Sequence, residues 1–290
     1  MKLPHERFDY SPIASRRPWK LPKGARIAVW TIVNIEEWNF EKPMPRQHLS
    51  SPQGVPVIPD VPNWAWHDYG MRVGFWRMYE AMQKRKIPAT TAINAHVTVS
   101  YPPVARAMLD AGWEFMGHGV VQGAMHTLPD PQAAIRESID LIQKFTGKKP
   151  KGWLGPGLTE TWDTLDQLAA EGIEYVSDWV NDDQPYPIRT RHGELTSIPY
   201  SIELNDIPFR VIRHHPSSLW LEMCRDQFDR LYAEGAKNPR VMAIAVHPYN
   251  SGVPHMIKYF EAVYDYIKKH KGVWLTTGEE IYEWYKTHRW

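Results

Sequence analysis

Short apolar runs alternate with helical stretches along this chain, and polar, chemistry-bearing side chains follow the end of several runs. Asn34-Ile35-Glu36-Glu37 follows the run from Arg26 to Val33, and Gly117-His118-Gly119 follows Trp113 to Met116. Asp178 to Asp183 follows Ile173 to Ser177, and His247-Pro248-Tyr249-Asn250 follows Val241 to Val246. In a repeating strand–helix fold the C-terminal ends of parallel strands share one face, so these groups converge on one pocket. Carboxylates and imidazoles gathered in a pocket are the tools of general acid and base catalysis. The chain reads as an enzyme.

The alternation runs the length of the sequence. Helical spacing places Phe75, Met78, Tyr79 and Met82 on one face of residues 72–84. Further helices are expected over 102–111, 131–145, 161–170, 219–233, 256–269 and 278–287. Strands are expected at 89–95, 152–154 and 273–276, with 195–201 and 209–212 also extended. Seven or eight strand–helix units with no boundary between them predict a single domain over 1–290, an irregular (β/α) barrel. A doubly wound open sheet is the alternative, but no Gly-x-Gly-x-x-Gly turn supports a dinucleotide. Pro43 to Asn63 stands apart, with six prolines and no helical period. It is too long for a routine connector and reads as an active-site lid or an arm on a neighbouring subunit.

Composition narrows the partners. With 34 Lys+Arg against 33 Asp+Glu the net charge is +1, which predicts no general attraction to nucleic acid or anionic membrane. No apolar stretch reaches the roughly 18 residues that span a bilayer, and Met1 to Lys20 lacks the apolar segment of a secretory signal. A cytoplasmic location is expected. The single cysteine, Cys224, rules out an internal disulfide and reads as a buried structural thiol. The apolar Val55, Val57, Ile58 and Val61 of the Pro-rich segment predict a homo-oligomer that covers them.

Several residues are candidates for chemistry. Glu36 and Glu37 are neighbours, and successive side chains of an extended segment point to opposite sides, so one of them faces the pocket. His118, between two glycines at a strand end, presents an accessible imidazole. His126 belongs to a loop that can return toward the site. Gly155-Pro156-Gly157 can offer backbone amides to an oxyanion, or is an ordinary tight connection. Asn181-Asp182-Asp183 and Asn205-Asp206 read as polar turns. His247, at the mouth of an almost wholly apolar strand, is the foremost acid–base candidate among the histidines.

At these residues the chain resembles the polysaccharide deacetylase (NodB-homology) superfamily. More closely it is similar to the branch that holds cofactor-independent allantoinases and cyclic-imide hydrolases. The resemblance rests on Asn34-Ile-Glu-Glu37, Tyr69-Gly-Met-Arg72-Val-Gly74-Phe-Trp76-Arg77 and Gly117-His118-Gly119. It continues through Ser177-Asp178, Asn181 to Tyr186, Pro199-Tyr200, Asn205-Asp206 and the His247 strand. It implies a deacetylase-like barrel and a small-molecule substrate.

The deacetylases of that superfamily hold a metal with the second acid of an Asp-Asp pair and two histidines four residues apart. Here the pair is Glu36-Glu37, and the residue four after His118 is Gln122. A neutral amide is a poor substitute for imidazole on zinc. No cofactor is the first expectation, and a divalent metal held by Glu37, His118 and His126 is the alternative. Without metal, the family pattern makes Glu37 the base that deprotonates water. His118 then polarises the carbonyl, and His247 protonates the leaving nitrogen. Glu36, Asn181, Asp182, Tyr200 and Asn205 are implied as binding groups for the ring. Arg72 would hold a carboxylate or carbonyl, or form an ordinary ion pair. The expected activity is hydrolysis of a non-peptide C–N bond in a small cyclic amide, imide or ureide. The alternatives are a metal-dependent N-deacetylase of an acetamido sugar and a catalytically silent ligand-binding protein on the same scaffold.

Overall fold

The structure, a computed structural model, describes residues 2–289. Nine strands occur among them: β1 (Ile27–Ile35), β2 (Thr90–Ile93), β3 (Glu114–Gly117), β4 (Gly152–Trp153), β5 (Tyr175–Val176), β6 (Tyr186–Thr190), β7 (Gly193–Ser197), β8 (Arg240–Val246) and β9 (Val273–Thr276). All pair in parallel except β6, which forms an antiparallel hairpin with β7. The fold is the mixed α/β, deacetylase-like (β/α) arrangement expected from the sequence. The polar hairpin strand β6 is what the sequence did not announce.

Every one of the nine residues of β1 is buried, as a parallel strand covered on both faces requires. One edge of β1 carries β8 from Ile27↔Arg240 to Val33↔Val246. The other edge is shared: β9 pairs with Ile27 to Trp30, and β2 with Ile32 to Ile35. From β2 the sheet continues through β3, β4, β5 and β7 to β6. The far edge of β8 is met by single backbone bonds from Val241 N–H to Asp183 O at 2.8 Å and from Ala245 N–H to Leu204 O at 2.9 Å. These bring residues 183 and 204–205 beside the strand that ends in His247.

Helices end where local chemistry dictates. Pro131–Thr146 is capped by Asp130, whose side chain accepts from Ala133 N–H at 3.0 Å, and it stops at Gly147 with φ +77°. Residues 209–212, expected to be extended, instead lie in a π-helical turn, Ile207–Ile212. Asn205 starts that turn, its Oδ1 accepting from Ile207 N–H at 2.9 Å and its backbone O from Phe209 N–H at 3.1 Å. The cap overrides the β-propensity of Ile207, Val211 and Ile212.

A second π-helical turn, Gly70–Gly74, joins the helices Val61–Tyr69 and Phe75–Arg85. A Cβ on Gly74 would lie 2.2 Å from Pro248 O, and one on Gly70 would lie 2.6 Å from Tyr249 N. Only glycine lets this helix rest directly on the backbone that follows β8. That contact sets the height of His247 and Tyr249 in the site.

Candidate active site

β1 ends in Asn34 and Ile35, Glu36 follows directly, and continued alternation puts Asn34 and Glu36 on the same side. Both line a cavity of about 360 Å³ together with Arg46, His118, Tyr200, Asn205 and His247, under an apolar wall of Ile207, Pro208, Val211 and Ile212. Glu37 points the other way. Its carboxylate accepts from Ser100 Oγ and meets His96 Nδ1 at 2.9 Å, outside the cavity. Glu36 therefore replaces Glu37 as the carboxylate of the site.

The Glu36 side chain is buried and heavily bonded. Oε2 accepts from Trp38 Nε1 at 2.8 Å and Tyr249 OH at 2.7 Å, and Arg46 Nη1 lies 3.1 Å from Oε1. His247 Nε2 stands 3.4 Å from the same Oε1. Burial alone would raise its pKa, but Arg46, His247 and His118 hold it well below the ordinary carboxylate value. It is an anion.

The two histidines are tuned in opposite directions. His118 Nδ1 donates to Leu154 O at 2.5 Å, leaving Nε2 as an acceptor. Burial pushes its pKa down to about 4, with Glu36 opposing, so the ring is neutral. His247 Nδ1 meets Asp206 Oδ1 at 2.7 Å, while Asp206 Oδ2 accepts from the His247 N–H at 2.9 Å and from Ser251 Oγ at 2.6 Å. Burial opposes a charge on His247, but Asp206 and Glu36 raise its pKa above the ordinary value. One imidazole is an acceptor and the other a proton donor. Such divergence identifies acid and base roles in a site.

The remaining sequence candidates separate. Tyr200 and Asn205 line the cavity and bond to each other at 3.1 Å. Asn181 and Asp182 do not; they lie in a different cavity of about 580 Å³, where Asp182 pairs with Arg16 at 2.5 Å. Arg72 is three-quarters exposed and pairs with Asp68 at 3.6 Å, which is the ordinary ion pair. His126 lines a third cavity beside Glu160, Trp162 and Trp179. The Gly155 N–H is held by Asp178 Oδ1 at 2.7 Å, so it is not available to an oxyanion.

Two residues escaped sequence reading. Asp206 lies 41 positions before His247 and looked like a polar turn. Arg46 lies in the Pro-rich segment, where no periodicity points anywhere.

These features place the chain by class and then by branch. The polysaccharide deacetylase family model matches residues 64–176. A Schizosaccharomyces pombe protein assigned to the polysaccharide deacetylases is 28% identical, covering 91% of each chain. The crystal structure of a Pseudomonas aeruginosa PAO1 protein with the same assignment superposes with a TM-score of 0.85 at 26% identity, covering 97% of this chain and 99% of that one. The chain matches the polysaccharide deacetylase superfamily in its 64–176 segment and in fold, and is a hydrolase of carbon–nitrogen bonds other than peptide bonds. The likeness extends to the allantoinase-like branch. The crystal structure of PuuE allantoinase superposes with a TM-score of 0.84 at 26% identity, again over 97% and 99% of the chains.

Deacetylases of this family commonly use a divalent metal, and the donor set here does not fit one. Glu36 already carries a guanidinium and faces the His247 imidazole, whose pKa is raised. Gln122, where a second histidine would be needed, is not among the residues lining the cavity. The expected set of Glu37, His118 and His126 is dispersed. Among the described residues no three His, Cys, Asp or Glu side chains are grouped to hold a metal.

Proposed function

We propose that this protein opens a small cyclic amide, imide or ureide by hydrolysing its C–N bond. The observation that carries the reading is the pair of oppositely tuned histidines that line one cavity with Glu36. Water held between Glu36 and His118 attacks the ring carbonyl carbon, and His118 Nε2 takes its proton. The Glu36 anion offsets the charge that forms on His118. Collapse of the tetrahedral adduct breaks the C–N bond, and His247 Nε2 gives its proton to the departing nitrogen. The products are a carboxylic acid and, on the same molecule, the freed nitrogen: an amine from a cyclic amide, an amide from an imide, a ureide from a cyclic ureide.

Cavity size supports a small ring. About 360 Å³ lies at the lower end of the roughly 300–1,000 Å³ of small-molecule sites. The likeness to an allantoinase, over nearly the whole of both chains, supports the ureide end of this range. A ring nitrogen flanked by a second carbonyl leaves more readily than that of a simple acetamide, and so depends less on a Lewis acid.

The test is to assay the purified protein on allantoin, hydantoin, succinimide and N-acetylglucosamine oligomers. Ring opening of a cyclic compound is expected. Acetate release from the oligomers, with no cyclic compound opened, would make it a sugar deacetylase instead.

A further inference from the structure

Arg46 is the one cationic side chain brought into the cavity by the Pro-rich segment. Its Nη1 is engaged, by Glu36 at 3.1 and 3.2 Å and by Tyr249 OH. The N–H groups of Nε and Nη2 have no protein acceptor among the described residues, although the residue lines the cavity and its side chain is 18% exposed. The guanidinium is fixed in place. Its Cζ lies 5.7 Å from the Trp38 ring centroid. Beyond it, His48 N–H and Leu49 N–H both donate to Asn63 Oδ1, at 2.8 and 3.0 Å, and pin the segment to the helix behind.

A planar guanidinium with unengaged donors on the wall of a cavity calls for an oxygen acceptor. The neighbouring groups say which oxygen. Arg46 Nη1 and His247 Nε2 converge on the same atom, Glu36 Oε1, at 3.1 and 3.4 Å. A ligand that presents its ring nitrogen to His247 therefore presents the atoms next to that nitrogen to Arg46. One neighbour of the nitrogen is the carbonyl under attack, beside His118. The other faces the guanidinium.

Resting on the ring-opening reading, we infer that Arg46 binds the second carbonyl oxygen of the substrate. The cavity then selects rings containing a –C(=O)–NH–C(=O)– unit over lactams with one carbonyl. The same contact favours bond cleavage, because the electron pair left on nitrogen delocalises into that second carbonyl while His247 protonates the nitrogen.

Succinimide and 2-pyrrolidinone have the same ring and differ by that carbonyl. Their binding to the wild-type protein and to Arg46→Lys is measured by calorimetry, with circular dichroism confirming the fold of the variant. Lysine keeps a positive charge beside Glu36 but lacks the fork. The wild type is expected to favour succinimide by about 10- to 100-fold, the range of one charge-assisted hydrogen bond. Arg46→Lys is expected to lose most of that preference. Equal binding of the two rings, binding of neither, or a preference that survives in Arg46→Lys overturns the inference; the first and second need no variant. Turnover is scored separately. Ring opening without a binding preference leaves the hydrolase reading standing and removes this one, whereas an Arg46-dependent preference without ring opening does the reverse.

Discussion

Glu36 and Glu37 are adjacent in the chain and serve different structures: Glu36 lies against Arg46 and His247 in the cavity, Glu37 against His96 and Ser100 outside it. The separation follows from extended backbone at the end of β1. It makes the two carboxylates a built-in control for one another.

Glu36→Gln should lower kcat/KM on a ring substrate by about 10²- to 10⁴-fold, the usual worth of an acid–base group. Glu37→Gln should stay within a few-fold of the wild type. Steady-state kinetics on both variants tests this, and the reverse ranking would return the site to Glu37.

The pH dependence has a definite sign. His118 must be neutral, so kcat/KM should fall as the pH drops through about 4. His247 must be protonated, so the rate should also fall as the pH rises through its pKa, which is raised above the ordinary histidine value. Asp206→Asn removes an anion that raises it and should move the alkaline limb to lower pH. A profile with the same alkaline limb in both proteins would take the acid role from His247.

Chelation should leave ring opening unchanged, since no donor set in the cavity suits a divalent cation. The measurement is the rate before and after exhaustive treatment with dipicolinate, with metal content followed by mass spectrometry. Activity lost on chelation and restored by zinc would show that the cavity rearranges around a metal.

Gly74→Ala should destabilise the fold by about 1–3 kcal/mol, the usual cost of overpacking, because its Cβ would lie 2.2 Å from Pro248 O. Denaturant unfolding reads the loss. The lesion falls beside His247, so activity should drop further than stability alone explains.

Leu49, Val55, Val57, Ile58 and Val61 are 44–60% exposed, an apolar strip that a second subunit would cover. Light scattering should give a mass above 33.8 kDa, and Ile58→Asp should shift it toward the monomer. A strictly monomeric wild type with full activity would contradict this.

Periodicity carried the scaffold. β1, β8 and the helices with a cap or a glycine stop lie within a few residues of where apolar spacing puts them, since these elements bury one continuous face. Alternation at the end of β1 allowed only one of Glu36 and Glu37 to face the cavity; the family's acid pair pointed to Glu37, and it is Glu36, on the same side as Asn34, that lines it. What stayed hidden depends on contacts between distant segments. Asp206 reaches the site because residues 204–205 lie along β8, and Arg46 because an aperiodic segment folds back over Trp38. Asn181 and Asp182 misled for the opposite reason, being held by Tyr186 and Arg16 in another cavity.

The sheet does not hold the stretch 43–60; Asn63 in the helix that follows, Glu36 and Tyr249 bond to it. A molecule could release it with every strand still paired, because segments secured by few bonds open at lower free energy than the core. Under mild urea, catalysis should fade before the circular dichroism of the strands and helices changes. The concentration at which activity is half lost would then report the tenacity of that tether alone.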